Sequence, residues 1–138
     1  MNKINIVIKK KQYRIKNRVQ INKMNRKYSK SPEGIYTGLK SNAKIRNINF
    51  NITQKDFVEW YNKQDKVCVY CNRTEEKIIQ DSNKQFSRLS IDRKDNDFGY
   101  TLDNITLCCF KCNTIKGDVF TFNEMIEIGN RYLIFKNN

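Results

Sequence analysis

The fold of this chain is decided by residues 89–116, LSIDRKDNDFGYTLDNITLCCFKCNTIK. Short runs of β-forming residues predict two strands, the first ending at Asp92 and the second at Cys108, with a turn at Gly99-Tyr100 between them. The following residues 110–116 predict a helix. The stretch therefore predicts a strand, a turn, a second strand and a helix in that order.

Two CxxC pairs, Cys68-Val-Tyr-Cys71 and Cys109-Phe-Lys-Cys112, are separated by 37 residues. Each pair can hold one side of a tetrahedral zinc ion, and the chain contains no histidine that could replace a thiolate. Four cysteines leave no open coordination position, so one structural zinc per chain is expected. Cys108 lacks the two-residue spacing to Cys112 and is assigned a buried packing role.

The strand, strand and helix bring Asp92 and Asn113 together, and the zinc ligand Cys112 directly precedes Asn113. A carboxylate and an amide carbonyl form an incomplete oxygen shell of the kind that Mg²⁺ or Mn²⁺ accepts, with water and a phosphate oxygen as the remaining ligands. These residues predict a catalytic metal site suited to phosphodiester hydrolysis.

The spacing IDR-x-D-N, then GY, N and C-x-x-C-N-x-x-K, resembles the HNH (ββα-metal) endonucleases, in an Arg-bearing branch common in phage nucleases. The resemblance covers roughly residues 48–125. It implies an α+β fold, with a ββα-metal core held by a four-cysteine zinc site and flanked by helices. It also implies a divalent-metal-dependent DNA endonuclease that nicks or cuts both strands, of restriction or homing type.

The resemblance assigns the catalytic roles to Asp92, Arg93, Tyr100 and Asn113, and the bracing of the turn to Asn104. The family usually has a histidine at the position of Arg93. A guanidinium has almost no neutral form at physiological pH, so it is expected to bind the scissile phosphate and not to act as a base. The nucleophile is then water or the phenol of Tyr100, which could otherwise serve only as turn packing.

The net charge of +13 indicates a polyanionic partner, and double-stranded DNA is the expected one. Residues 1–30 hold eleven Lys or Arg and no acid, whereas residues 31–138 hold sixteen basic and fourteen acidic residues. We therefore expect a basic N-terminal DNA-binding arm at 1–30 and an endonuclease domain at 31–138, with a solvated tail as the alternative for the arm. The expected phosphate contacts are Lys9, Lys10, Lys11, Arg14 and Arg18 in the arm, and Lys116 on the helix of Asn113.

No apolar segment is long enough for a membrane span or a signal-peptide core, so a cytoplasmic protein is expected, with a phage gene in a bacterial host as one source. The sequence leaves open whether two chains pair to cut both strands. A zinc-stapled DNA-binding module without turnover and an RNA-binding zinc knuckle are the alternative functions, and the Asp92 and Asn113 pair argues against both.

Elsewhere the pattern predicts a helix capped at Ser31-Pro32, a short strand over 48–52 and a helix capped by Thr53. Residues 72–88 are polar and predict a loop. The sequence Thr121-x-x-Glu124 is typical of a capping box at the start of a last helix.

Overall fold

A computed structural model describes residues 2–83, 85 and 88–134 of the chain. In chain order its elements are α1 Lys3–Lys16, α2 Arg18–Lys30, α3 Pro32–Ile45, α4 Gln54–Lys63, α5 Glu75–Asp81, β1 Ser90–Arg93, β2 Ile105–Cys108, α6 Phe110–Lys116 and α7 Phe122–Ile128. A 3₁₀ turn at Leu102–Asn104 precedes β2, and a π-helical turn at Gly129–Leu133 follows α7. Helices around a two-stranded sheet confirm the predicted α+β class.

The sheet and the helix after it form the expected ββα unit. Strands β1 and β2 are antiparallel, with Asp92 opposite Thr106 and Arg93 opposite Ile105. The thiol of Cys109 caps α6 by accepting a hydrogen bond from the backbone N–H of Cys112. The second CxxC pair therefore sets where α6 begins, immediately after the sheet ends.

Helices α3 and α4 pack together on one side of this unit. The hydroxyl of Ser31 accepts from the N–H of Gly34 to cap α3, and Thr53 caps α4, as the sequence predicts. Between them the ring of Tyr36 lies 5.5 Å from that of Phe50 and 5.7 Å from that of Phe57, measured between ring centroids. The aromatic residues Tyr36 and Phe57 of this region are buried in the core.

Two local predictions are wrong. The segment 48–52 forms no strand and makes a single bridge, from Phe50 to Tyr100, because Tyr100 leads directly into a 3₁₀ turn and offers no longer edge. The predicted loop at 72–88 contains α5, which the Thr74 hydroxyl caps by accepting from the N–H of Lys77.

The N-terminal arm, residues 1–30, is helical where it is described. Neither α1 nor α2 buries a residue, and α2 packs against α3. The contact is close, since a Cβ at Gly34 would lie 1.9 Å from the carbonyl oxygen of Tyr28. Within the described part of the chain, no helix has both the length and the apolar content needed to cross a bilayer.

The segment after α3 is tied to the turn between the two strands. The N–H of Tyr100 donates to the carbonyl of Asn49 at 2.8 Å, and the N–H of Asn51 donates to the carbonyl of Tyr100 at 2.9 Å. A Cβ at Gly99 would lie 2.3 Å from the carbonyl oxygen of Asn49, so this approach requires glycine. The turn and the end of α3 are therefore held as one piece.

Two glycine substitutions should shift stability in opposite directions. We expect Gly99→Ala to lower the free energy of unfolding by about 1–3 kcal/mol, since the added methyl group overlaps backbone. Gly38→Ala should raise it by roughly 0.5–1 kcal/mol, because Gly38 is exposed within α3 and its Cβ would meet nothing within 4 Å. Urea unfolding of both variants measures the difference, and equal stabilities would contradict the close approach at Gly99.

Candidate active site and four-cysteine site

The two CxxC pairs meet in space. The sulfur atoms of Cys68, Cys71, Cys109 and Cys112 all lie within 4.8 Å of one another, and all four side chains are buried. None of these cysteines forms a disulfide. The structure therefore places the four predicted ligands in one cluster.

The geometry of this cluster fits zinc. A tetrahedral ion with Zn–S bonds of about 2.3 Å separates its sulfur ligands by roughly 3.8 Å. The Cys71 and Cys109 sulfurs are 3.9 Å apart. Metal binding needs these cysteines in the thiolate form.

Cys108 lies beside this cluster and does not join it. Its side chain is fully buried, and burial raises the pKa of its thiol well above the ordinary value, with the charge of Asp92 adding to the effect. A neutral buried thiol behaves as a small apolar side chain. The structure places Cys108 in the packing position expected for it.

Asp92 is a buried carboxylate, only 7% exposed, in the middle of the ββα unit. The phenol of Tyr70 donates to its Oδ2 at 2.7 Å, and the Lys116 ammonium lies 3.4 Å from the same oxygen. Burial and the hydrogen bond to Asp92 raise the pKa of Tyr70 far above its ordinary value, so the phenol remains a donor. Two donors from distant parts of the chain therefore orient this carboxylate.

Lys116 occupies a different position from the expected one. It is 1% exposed, and its ammonium donates to the carbonyl of Arg93 at 2.9 Å as well as pairing with Asp92. Its place three residues after Asn113 turns it inward, toward the sheet, because α6 packs on β1. A DNA phosphate cannot reach Lys116 in this position, which corrects the expected phosphate contact.

Arg93 holds the turn that follows β1. Its Nη1 donates to the carbonyls of Asn96 at 3.0 Å and Phe98 at 2.8 Å, and its guanidinium lies 5.4 Å from the ring centroid of Tyr100. Arg93 makes no ion pair with any carboxylate among the residues that the structure describes. Its Nε and Nη2 have no partner in the same part of the chain, so these donors are available to a ligand.

Asn104, the last residue of the 3₁₀ turn before β2, braces the same turn from its other end. Its side-chain oxygen accepts from the N–H of Asp95 at 2.9 Å, and its amide donates to the carbonyls of Asp95 and Gly99. The turn is thus fixed from both ends, by Arg93 and by Asn104. This is the position that the family resemblance implies for Asn104.

A cavity of about 600 Å³ opens at this turn, and we call it the Asp92 cavity. Asp92, Arg93, Tyr100 and Asn113 all line it, so the four residues predicted to be catalytic are brought to one place. Tyr100 is 5% exposed and packs 5.5 Å from Phe50, which gives its ring a core role as well. The Asn113 side chain makes no hydrogen bond among the described residues.

None of the arm residues expected to bind DNA lines this cavity. Lys9, Lys10, Lys11 and Arg14 are exposed on α1, and Arg18 is exposed on α2. Successive helical residues are rotated by about 100°, so the three consecutive lysines face different directions. Positive charge therefore surrounds α1 and is not confined to one face.

Sequence reasoning missed Tyr70 as part of the site. It lies between Cys68 and Cys71, and the cysteine cluster carries it to Asp92, twenty-two positions further along the chain. The sequence did contain a signal for this role, since a tyrosine within the first CxxC pair must come close to the ββα unit when the two pairs meet. Its partner could not be named, because that contact depends on the long-range cysteine pairing.

These features define a small ββα unit of the HNH kind with a four-cysteine site. They are an antiparallel strand pair, a helix that begins at a cysteine of that site, and a buried aspartate. No family model matches the chain. A solved structure of the rare-cutting HNH restriction endonuclease PacI is similar to it, with a TM-score of 0.62 and 29% sequence identity over 68% of this chain and 70% of that one. The chain is thus HNH-like in its fold and has a four-cysteine site, which confirms the resemblance.

A curated protein is also similar. The uncharacterized protein R423 of Acanthamoeba polyphaga mimivirus is 30% identical over 103 residues, which make up 75% of this chain. The chain spans only 17% of that protein's length.

Replacing a cluster cysteine should have a different outcome from replacing Cys108. We expect the wild type to hold one zinc per chain, and Cys112→Ser to lose the ion and unfold, since metal binding in such sites contributes folding free energy. Cys108→Ala should keep the zinc and the fold, because Cys108 lies outside the cluster. Metal analysis by mass spectrometry together with circular dichroism tests this. Folded wild-type protein without zinc would contradict the assignment.

Proposed function

We propose that this chain is a divalent-metal-dependent DNA endonuclease that hydrolyses phosphodiester bonds. The observation that supports this most is the Asp92 cavity, where a buried carboxylate, an amide and a guanidinium meet on an HNH-like ββα unit. Oxygen ligands for a hard cation and a donor for a phosphate are therefore adjacent. PacI, whose structure is similar, is a rare-cutting HNH restriction endonuclease that perturbs DNA.

Asp92 and Asn113 are the residues that would hold Mg²⁺ or Mn²⁺. Carboxylate and amide oxygens suit these hard cations, and the Asn113 amide is uncommitted within the described chain. A bound divalent ion would supply charge stabilisation at the scissile phosphate and at the leaving oxygen. The hydrogen bond from Tyr70 fixes the orientation of the Asp92 carboxylate.

Arg93 would bind the phosphate. One of its terminal nitrogens is bound to the turn, which leaves Nε and Nη2 to donate to phosphate oxygens as negative charge develops. The anchoring bonds reduce the freedom that the side chain loses on binding. Arg93 thus contributes electrostatic stabilisation and no proton transfer.

The burial of Tyr100 favours water as the nucleophile. A phenol that attacks phosphorus must reach the phosphate, whereas Tyr100 is 5% exposed and its ring packs against Phe50 and the Arg93 guanidinium. Tyr100 would then line the cavity and hold the Arg93 guanidinium in place by packing against it.

One observation favours a second function, a DNA-binding module without turnover. The Lys116 ammonium lies 3.4 Å from the Asp92 carboxylate and already compensates its charge. A divalent ion at Asp92 would have to bind beside this positive group. Catalytic assays with metal separate the two functions directly.

We expect the wild type to nick supercoiled plasmid in Mg²⁺ or Mn²⁺, and Asp92→Ala and Asn113→Ala to lose about two or more orders of magnitude in rate, since each change removes a metal ligand. Tyr100→Phe should retain the rate if water is the nucleophile. Asp103→Ala is the matched control, because Asp103 is exposed on the 3₁₀ turn away from the cavity. A folded, zinc-loaded Asp92→Ala protein that cuts at wild-type speed would exclude Asp92 from the mechanism.

The N-terminal arm would supply most of the affinity for DNA. Its eleven basic residues can neutralise several phosphates, and each such contact makes the logarithm of the affinity fall by about 0.9 per unit of log salt.

Deletion of residues 1–27 should weaken duplex binding and flatten its salt dependence, while the far-ultraviolet signal of α3 to α7 and the zinc content persist. Fluorescence anisotropy at several salt concentrations measures this. Binding identical to that of the full chain would show that the arm is a solvated tail.

A further inference from the structure

Arg46 belongs to neither the ββα unit nor the arm, yet it lies at the Asp92 cavity. It is the C-cap residue of α3, the helix that precedes the nuclease motif by more than forty residues. Arg46 lines the same cavity as Asp92, Arg93 and Asn113. A second guanidinium is therefore present where the proposed reaction takes place.

The backbone around Arg46 is fixed relative to the cavity. The N–H of Arg46 donates to the carbonyl of Asn42 at 3.0 Å, that of Asn47 to the carbonyl of Lys44 at 3.1 Å, and that of Ile48 to the carbonyl of Ala43 at 2.8 Å. Only three residues after Arg46, the carbonyl of Asn49 accepts from the N–H of Tyr100. The end of α3 is thus joined to the turn that carries the site.

The guanidinium of Arg46 is not used by the fold. Asp97 and Asp118 also line the cavity. Among the described residues, however, no carboxylate forms an ion pair with Arg46. Arg46 is exposed and makes no side-chain hydrogen bond in the same part of the chain. Arg93, by contrast, uses Nη1 to hold two carbonyls.

We propose that Arg46 binds a phosphate of the DNA strand within the Asp92 cavity, at or next to the bond that is cut. The planar guanidinium fork matches two non-bridging phosphate oxygens, and a cation in the cavity also offsets the negative charge that the aspartates place there. The proposal rests on the proposed endonuclease function. Arg93 then acts from the turn and Arg46 from the end of α3.

The chain offers a matched control for this residue. Lys44 carries the same charge, lies two positions earlier on α3 and is exposed, but it lines a separate groove with Tyr36, Lys40 and Asn47. Removing either charge changes the net charge of the protein equally. A difference between the two variants therefore reports position and not overall charge.

The test measures kcat and KM for cleavage of a duplex oligonucleotide in Mg²⁺ by the full-length wild type, Arg46→Gln, Arg46→Lys and Lys44→Gln. We expect Arg46→Gln to lose roughly 10²-fold in kcat/KM, as when one charge-stabilising donor is removed, and Arg46→Lys to recover part of this. Lys44→Gln should stay within about threefold of the wild type. Arg46→Gln with wild-type kcat and KM, or with a loss no larger than that of Lys44→Gln, overturns the proposal.

A binding measurement separates this proposal from the endonuclease function. Anisotropy titrations of the same duplex without divalent metal should show that the salt slope of Arg46→Gln is smaller by about 0.9, the value of one phosphate contact. If the wild type cuts no DNA, the endonuclease function fails, but this slope change would still support a phosphate at Arg46. An unchanged slope and affinity in that case overturns the Arg46 proposal as well.

Discussion

The meeting of Cys68 and Cys71 with Cys109 and Cys112 is the contact on which the rest of the site depends. The two pairs are separated by 37 residues, and their cluster closes a loop that contains both strands of the sheet. It determines where α6 begins, because the Cys109 sulfur accepts from the Cys112 N–H, and it thereby orients Asn113 one residue further on. On the other side it brings Tyr70, within the first pair, to Asp92. A bound zinc ion would stabilise both the start of α6 and the contact of Tyr70 with Asp92. It would do so with a free energy that a small apolar core could not supply alone.

The fold stabilises the buried charge of Asp92 with polar partners, which a purely apolar core would lack. A buried carboxylate is costly unless donors and an opposite charge compensate it, and here Tyr70 donates a hydrogen bond while Lys116 supplies the charge. Within the described residues no buried polar side-chain atom lacks a partner. The Lys116 ammonium donates more closely to the carbonyl of Arg93, at 2.9 Å, than to Asp92. Lys116 therefore stays anchored in the fold if a divalent ion takes over the charge of Asp92.

The sequence predicted those parts of the structure that follow from local rules. Caps at Ser31, Thr53 and Thr121 mark α3, α4 and α7, and the CxxC spacing identifies four residues that do meet. The failures concern contacts between distant segments. Lys116 is at helical spacing from Asn113, but only the packing of α6 on β1 makes it buried. Likewise, the polar composition of 72–88 predicted a loop where α5 forms. Glu75 of α5 accepts a hydrogen bond from the N–H of Leu89, fourteen residues later, which ties the helix to the rest of the fold.

The absence of histidine limits the groups that could transfer a proton in the Asp92 cavity. The chain has none, so no imidazole can exchange a proton with water or a leaving group in the Asp92 cavity. The positive groups at the cavity are the guanidinium of Arg93, that of Arg46 and, beside Asp92, the buried ammonium of Lys116. In the proposed hydrolysis, these groups would act through the positions of their charges. Much of the local structure serves that placement: Asn104 and Arg93 fix the turn, Gly99 lets the end of α3 approach it, and the cysteine cluster sets the helix of Asn113.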